Sequence, residues 1–163
     1  MNRMGVTTRT LYDRDFAEWT ARTAELLRER RLDELDLENL AEEIETLGRS
    51  ERSAVRSQLR RMLVHLVKLG IQPERGGASW RGSVASARTA LLDLMEDSPS
   101  LRRVAEENLQ RIYREAVELA LIETDLTGSA KELNVPRNCP YNLAALLEGD
   151  LDALWPGVGR KPR

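Results

Sequence analysis

The chain has 163 residues, 32% of them charged, 41% hydrophobic and only 4% aromatic, with a formal net charge of -2. That apolar content excludes a disordered tail. The near-balanced charge argues against a broad nucleic-acid-coating surface but leaves room for a local basic patch. The length fits one domain with a real core, and the single cysteine, Cys139, excludes an intrachain disulfide.

Residues 1–11 carry no periodic signal and read as a loose tail. A first helix is expected over about residues 13–31, with Asp13 as its N-cap and Phe16, Trp19, Leu26 and Leu27 on its apolar face. A short connection at 32–35 implies an antiparallel neighbour. The next helix, over about 36–70 and capped by Asp36, is the outsized element. It contains no proline and one internal glycine before its end, Gly48. Its apolar residues recur at Leu37, Leu40, Ile44, Leu47, Val55, Leu59, Met62, Leu66 and Leu69. At a rise of ~1.5 Å per residue it is roughly 50 Å long, more than one small domain is wide.

Gly70, Pro73, Gly76 and Gly77 mark a loop. Ser79 is placed as the cap of a third helix carrying Trp80, Val84, Ala87, Leu91 and Met95 inward. Ser98 and Pro99 signal the start of a fourth, with Leu101, Val104, Leu109, Ile112, Ala116, Leu119, Ile122 and Leu126, ending near Gly128. Residues 134–140 hold two prolines and read as an ordered loop. A short helix over 141–147, closed by Gly149, follows, and residues 129–163 as a whole form a covering segment that includes Trp155. With no repeat and no β-alternation, the fold expected is a single all-α domain. It is an up-down bundle of four main helices, one of them very long, plus a short C-terminal helix.

Counting back from each turn puts His65 level with about Ala85, and Ala85 level with about Ile112. The third helix then ends level with about Glu51, and Leu37, Leu40, Ile44 and Leu47 extend past their neighbours. Four such side chains left in water forfeit roughly 1.5–3 kcal/mol each. A two-fold homodimer through this surface is the expected remedy, ahead of a break at Gly48 or cover from the C-terminal segment. A protein partner is the other candidate for the same face.

The same register places His65, Arg88 and Tyr113 in one layer. Imidazole, guanidinium and phenol together suit an anion or a proton transfer, although a buried polar network fixing helix register is the commoner use of such groups. Arg49, Arg52, Arg56 and Arg60, at spacings of three and four, form a basic stripe suited to phosphates. No aromatic residue interleaves it, and Glu45 is placed to pair with Arg49. Cys139, before Pro140, is a candidate low-pKa thiol at a helix start, with a small buried side chain as the plainer reading. A single histidine cannot supply the paired Glu-x-x-His sites of metal-binding bundles. An all-carboxylate set from Glu42, Glu43, Glu45 and Glu123 is the only metal alternative, so no metal and no cofactor are expected. The stretch over 62–71, the longest apolar-rich run, is interrupted by His65 and Lys68 and too short for a bilayer. With no signal-peptide pattern, a soluble cytoplasmic protein without a membrane partner is expected. No catalytic motif is present, so a non-catalytic association module is favoured over an enzyme.

The run LYDRDFAEWTARTAELLRERRLDELDLENLAEEIETLGRSERSAVRSQLRRMLVHLVK, with QPE, SWRGSVASAR, DSPSLR, AVELALIET and VPRNCPY, resembles the bacterial family catalogued as "domain of unknown function 29" over about residues 11–147. The resemblance implies a bacterial helical protein and no particular activity. Positions matching it include Tyr12, Asp15, Phe16, Trp19, Glu43, His65, Trp80, Arg88, Tyr113, Glu123, Cys139 and Tyr141.

Overall fold

A computed structural model of the protein describes residues 8–129, 133 and 135–154. Trp155 and the two chain ends lie outside that range. The protein is an all-α helical bundle, with no strand among the described residues. Its helices are α1 (Thr8–Arg14), α2 (Phe16–Arg28), α3 (Leu37–Ile71), α4 (Ala78–Asp97), α5 (Leu101–Glu123), α6 (Leu143–Glu148) and α7 (Leu151–Leu154). Single 3₁₀ turns occupy Leu32–Glu34, Pro73–Arg75 and Thr127–Ser129. Helix α3 runs its 35 residues without interruption, so Gly48 does not break it. The chain forms two compact units, Met1–Ser50 and Glu51–Arg163.

In the first unit the chain is already helical from Thr8, where the sequence suggests a tail, and α2 is capped by Asp15 rather than Asp13. The Asp15 carboxylate accepts the Glu18 N–H at 3.0 Å, satisfying one of the orphan donors of the first turn. Tyr12 sits edge-on to Trp19, with ring centroids 5.0 Å apart, and Phe16 stacks on Trp19 at 5.5 Å. Trp19, Thr23 and Leu26 are the buried residues of α2, whereas Phe16 and Leu27, expected inward, are about half exposed. α2 ends at Arg28, and two residues on Arg30 takes a left-handed φ of 59°. The Arg31 N–H then reaches back to the Leu26 carbonyl and the Arg30 N–H to that of Leu27, the paired closure of a Schellman end. Asp36 caps α3 as expected, accepting the Asn39 N–H at 3.3 Å.

The second unit holds the main core. Val55, Leu59, Met62, Leu63, Leu66 and Val67 from α3 meet Val84, Ala87, Leu91 and Met95 from α4, all buried. From α5 come Leu101, Ala105, Ile112, Tyr113, Ala116, Ala120 and Leu121. Leu119 and Ile122 point to water instead, at 38% and 64% exposure. The reason is size: the buried row of α5 is built on alanines, which let the helices approach closely, and that row turns the bulkier neighbours outward.

The helix ends differ in detail from the sequence reading. Gly77, not Ser79, is the N-cap of α4, with no side-chain bond. Ser98 closes α4 rather than opening α5, and its hydroxyl hydrogen-bonds the Glu51 carboxylate at 3.2 Å. That contact puts the end of α4 beside Glu51, where turn-counting places it. α5 ends at Glu123, short of Gly128, because Asp125 takes a left-handed φ of 57° and Leu126 N–H bonds the Leu121 carbonyl. Asn142 caps α6 through the Ala145 N–H at 2.8 Å, so the helix opens at Leu143 rather than Tyr141.

Gly149 closes α6 with an ordinary negative φ of -73°. Its need for glycine is spatial: a Cβ there would lie 2.5 Å from the Ala145 carbonyl oxygen. Gly149→Ala is therefore expected to destabilise the protein by roughly 1–3 kcal/mol, the usual cost of overpacking. Arg30→Gly relieves a left-handed non-glycine residue and is expected to stabilise it by about 0.5–1 kcal/mol. Urea unfolding midpoints of the two variants against the parent check both signs.

Candidate functional site

Two clusters of buried or half-buried polar groups stand out in the second unit, and neither is the layer read from the sequence. The first is centred on Lys68. Its side chain is 10% exposed, its ammonium donates to the Glu123 carboxylate at 2.9 Å, and it lies 4.6 Å from the centre of the Trp80 ring. A long aliphatic stem thus runs through the core while the charge is matched by a carboxylate and an aromatic face. His65, one turn back on α3, is half-buried beside this cluster, with Nδ1 enclosed and without a hydrogen bond. Burial, then the positive charge of Lys68, hold the imidazole below its ordinary pKa of 6.5, and Glu123 offsets part of that effect.

The second cluster fastens the C-terminal segment. Arg88 on α4 donates Nε to the Leu146 carbonyl and Nη1 to the Gly149 carbonyl, both at 2.8 Å. These are orphan acceptors at the C-terminal end of α6. Tyr113 on α5 donates to the Pro136 carbonyl at 2.9 Å, and Tyr141 donates to the Leu154 carbonyl at 2.8 Å. Gln110 accepts the Cys139 N–H at 2.9 Å. Burial pushes Tyr113 up to about 12 and also raises Tyr141 and Cys139. Cys139 is thus held as a thiol, the opposite of the activation that its place near a helix start suggested.

No hydrogen bond joins His65, Arg88 and Tyr113. Arg88 and Tyr113 belong to the C-terminal fastening and His65 to the Lys68 cluster. The register explains the separation. Two ion pairs tie α3 to α5, Arg60 to Glu115 and Lys68 to Glu123, each across 55 positions. At that offset His65 is level with about Ala120, two turns beyond Tyr113. The α3–α4 register is the one that turn-counting predicts, as Ser98 and Glu51 show, whereas α5 is displaced along α3 by about eight residues from where counting places it.

Of the arginine stripe, Arg60 is held by Glu115 at 2.6 Å and Arg49 by Glu45 at 3.4 Å and Thr46 at 2.7 Å. Arg52 and Arg56 have no ion-pair partner among the described residues. No three His, Cys, Asp or Glu side chains converge as a metal site among the described residues. No described helix is long and apolar enough to cross a membrane. In the first unit Leu37, Ile44 and Leu47 are 60%, 61% and 68% exposed, and Leu40 is half-buried. On the flank of that row Glu43 accepts the Tyr12 hydroxyl at 2.6 Å, which raises the phenol to about 12.

A single histidine makes its linkage readable. Its folded pKa is depressed, so its neutral form stabilises the fold fully above the unfolded value of about 6.5. That contribution is lost as pH falls through the lower folded value. Urea midpoints are expected to drop from pH 7.5 towards pH 5.5, and His65→Gln to flatten the drop.

No curated protein and no solved structure matches the chain. The family model "Domain of unknown function DUF29" matches residues 11–151. With the match spanning most of the sequence, the chain belongs to that family.

Proposed function

We propose that the protein is a non-catalytic association module of the cytoplasm, and that the first half of α3 pairs with the same segment of a second copy. The observation that carries this reading is the exposed row Leu37, Ile44 and Leu47, completed by Leu40. Its spacing of three, four and three residues is that of core positions in a two-helix coiled coil. Of the nine large exposed hydrophobics among the described residues, six (Phe16, Leu27, Leu32, Leu37, Ile44, Leu47) fall in the unit Met1–Ser50. Such concentration favours an interaction face over ordinary scatter.

An antiparallel two-fold suits the row. Centred on Glu42, it sets Leu37 opposite Leu47 and Leu40 opposite Ile44 of the second copy, four apolar layers with no polar residue among them. Ala41 and Gly48 fall on one flank of the row and let a second helix come close. That role also accounts for a glycine inside a long helix, which otherwise costs about 1 kcal/mol relative to alanine. Burying the exposed leucines and isoleucine of both copies contributes on the order of 10 kcal/mol. This is comparable with the rigid-body cost of association, so the pairing is reversible rather than permanent. The nucleic-acid reading of the arginine stripe is weaker, because Arg49 and Arg60 already hold carboxylates.

Sedimentation velocity on the pure chain tests the proposal. A dimer with a dissociation constant in the micromolar range is expected. The double variant Ile44→Glu/Leu47→Glu is expected to sediment as a monomer with unchanged helical circular dichroism. A parent chain that stays monomeric at about 200 μM, well above such a constant, sinks the reading.

A further inference from the structure

The second unit contains a groove of about 520 Å³ between α5 and residues 135–138. Along α5, Tyr113, Val117 and Leu121 recur every four residues and make an apolar floor, with Tyr113 and Leu121 buried. Val135 and Pro136 form the facing wall. The Tyr113 hydroxyl pins that wall by donating to the Pro136 carbonyl at 2.9 Å. One position on from the floor, Arg114 and Glu118 place charges along the rim, and Arg137 brings a second guanidinium from the opposite side. All three rim side chains are exposed and have no ion-pair partner among the described residues.

We propose that this groove binds a small organic monocarboxylate, with its apolar body on the Val117 and Leu121 floor and its carboxylate between Arg114 and Arg137. The volume falls in the range of small-molecule sites, and the composition is theirs too: apolar walls and a few convergent polar groups. Guanidinium forks match the planar, two-oxygen geometry of a carboxylate and pair with it bidentately. Two cations against one anion leave a single positive charge to neutralise, so one negative charge on the ligand is complementary. Glu118 repels a second, which selects against dianions such as phosphate monoesters. The site lies in Glu51–Arg163 and does not depend on the association face; either can fail without the other.

Decanoate titrated into the ¹⁵N-labelled full chain tests it. Saturable binding is expected, with amide shifts concentrated in residues 113–121 and 135–138. Decanamide, which keeps the chain and loses the charge, is expected to bind about tenfold more weakly or worse. Arg114→Gln and Arg137→Gln should each weaken decanoate by about tenfold while leaving the melting temperature nearly unchanged, since both side chains are exposed and without an ion-pair partner among the described residues. Decyl phosphate should bind less well than decanoate. The proposal is overturned by absence of saturation up to about 10 mM. Equal affinity for acid and amide, or shifts centred elsewhere on the molecule, overturns it too.

Discussion

One uninterrupted helix governs how the chain is built. An α-helix propagates as long as each residue adds a backbone bond, and nothing between Leu37 and Ile71 removes one. Gly48 lowers the local propensity by about 1 kcal/mol but leaves the hydrogen-bond ladder intact. The same rod therefore carries two apolar programmes. Up to Leu47 it offers a narrow row at heptad spacing, and from Met62 to Leu69 only His65 is not buried. The narrow row has the width that one helix covers in the association proposed above; the broad one needs neighbours on several sides, and α4 and α5 supply them. A narrow exposed pattern and a broad buried one thus share a single element.

What the sequence revealed and what it hid follow the range of the physics involved. Helix existence is local, and the four long helices were legible from periodicity, as was the Asp36 cap. The α3–α4 register was also readable, because one short connection leaves little slack, and the Ser98–Glu51 contact lies where counting puts it. The α3–α5 register was not, because it depends on how far α5 slides along α3 in a packed core. The buried face of α5 includes Ala105, Ala116 and Ala120, residues whose small size matters only once a neighbour is known. The candidate layer of His65, Arg88 and Tyr113 rested on that second count. Lysine is ordinarily a surface residue, and the burial of Lys68 rests on Glu123 and Trp80, which lie away from it in sequence. A buried lysine beside the only histidine had one available signal, the placement of both on the apolar face of a long helix.

The C-terminal segment shows how polar side chains are used in this bundle. Short helices such as α6 cannot satisfy their own end carbonyls, and α6 has only six residues. Arg88 bonds two carbonyls there, Tyr113 bonds one before α6 at Pro136, Tyr141 one beyond it at Leu154, and Gln110 takes a loop N–H. Each bond contributes only about 1 kcal/mol net, yet losing one leaves a buried group unsatisfied at a cost of about 1–3 kcal/mol. Polar residues that look like reagents in a sequence are thereby committed to holding an irregular segment against a regular one. The same reasoning explains the thiol: Cys139 is enclosed by this fastening, and enclosure disfavours its charged form.

An interior so committed shifts the question of function to the surface. Arg88 through Nε and Nη1, Tyr113 and Tyr141 all bond carbonyls inside the fold, so the association and the ligand binding proposed above rest on groups at the surface that the fold leaves without a partner. Two places meet that condition with definite chemistry. The row from Leu37 to Leu47 is apolar where solvent gives it nothing in return, and its period fits one more helix. The α5 groove is apolar at its floor, and its rim charges, Arg114, Glu118 and Arg137, are not spent on one another. Exposed charge on a convex helix face is ordinary, because water solvates it fully. Beside a concave apolar floor, a ligand with one charged end and one greasy end engages the exposed rim charge and covers the apolar surface at once. The physical distinction between the arginine stripe and the groove is therefore curvature and company rather than the number of arginines.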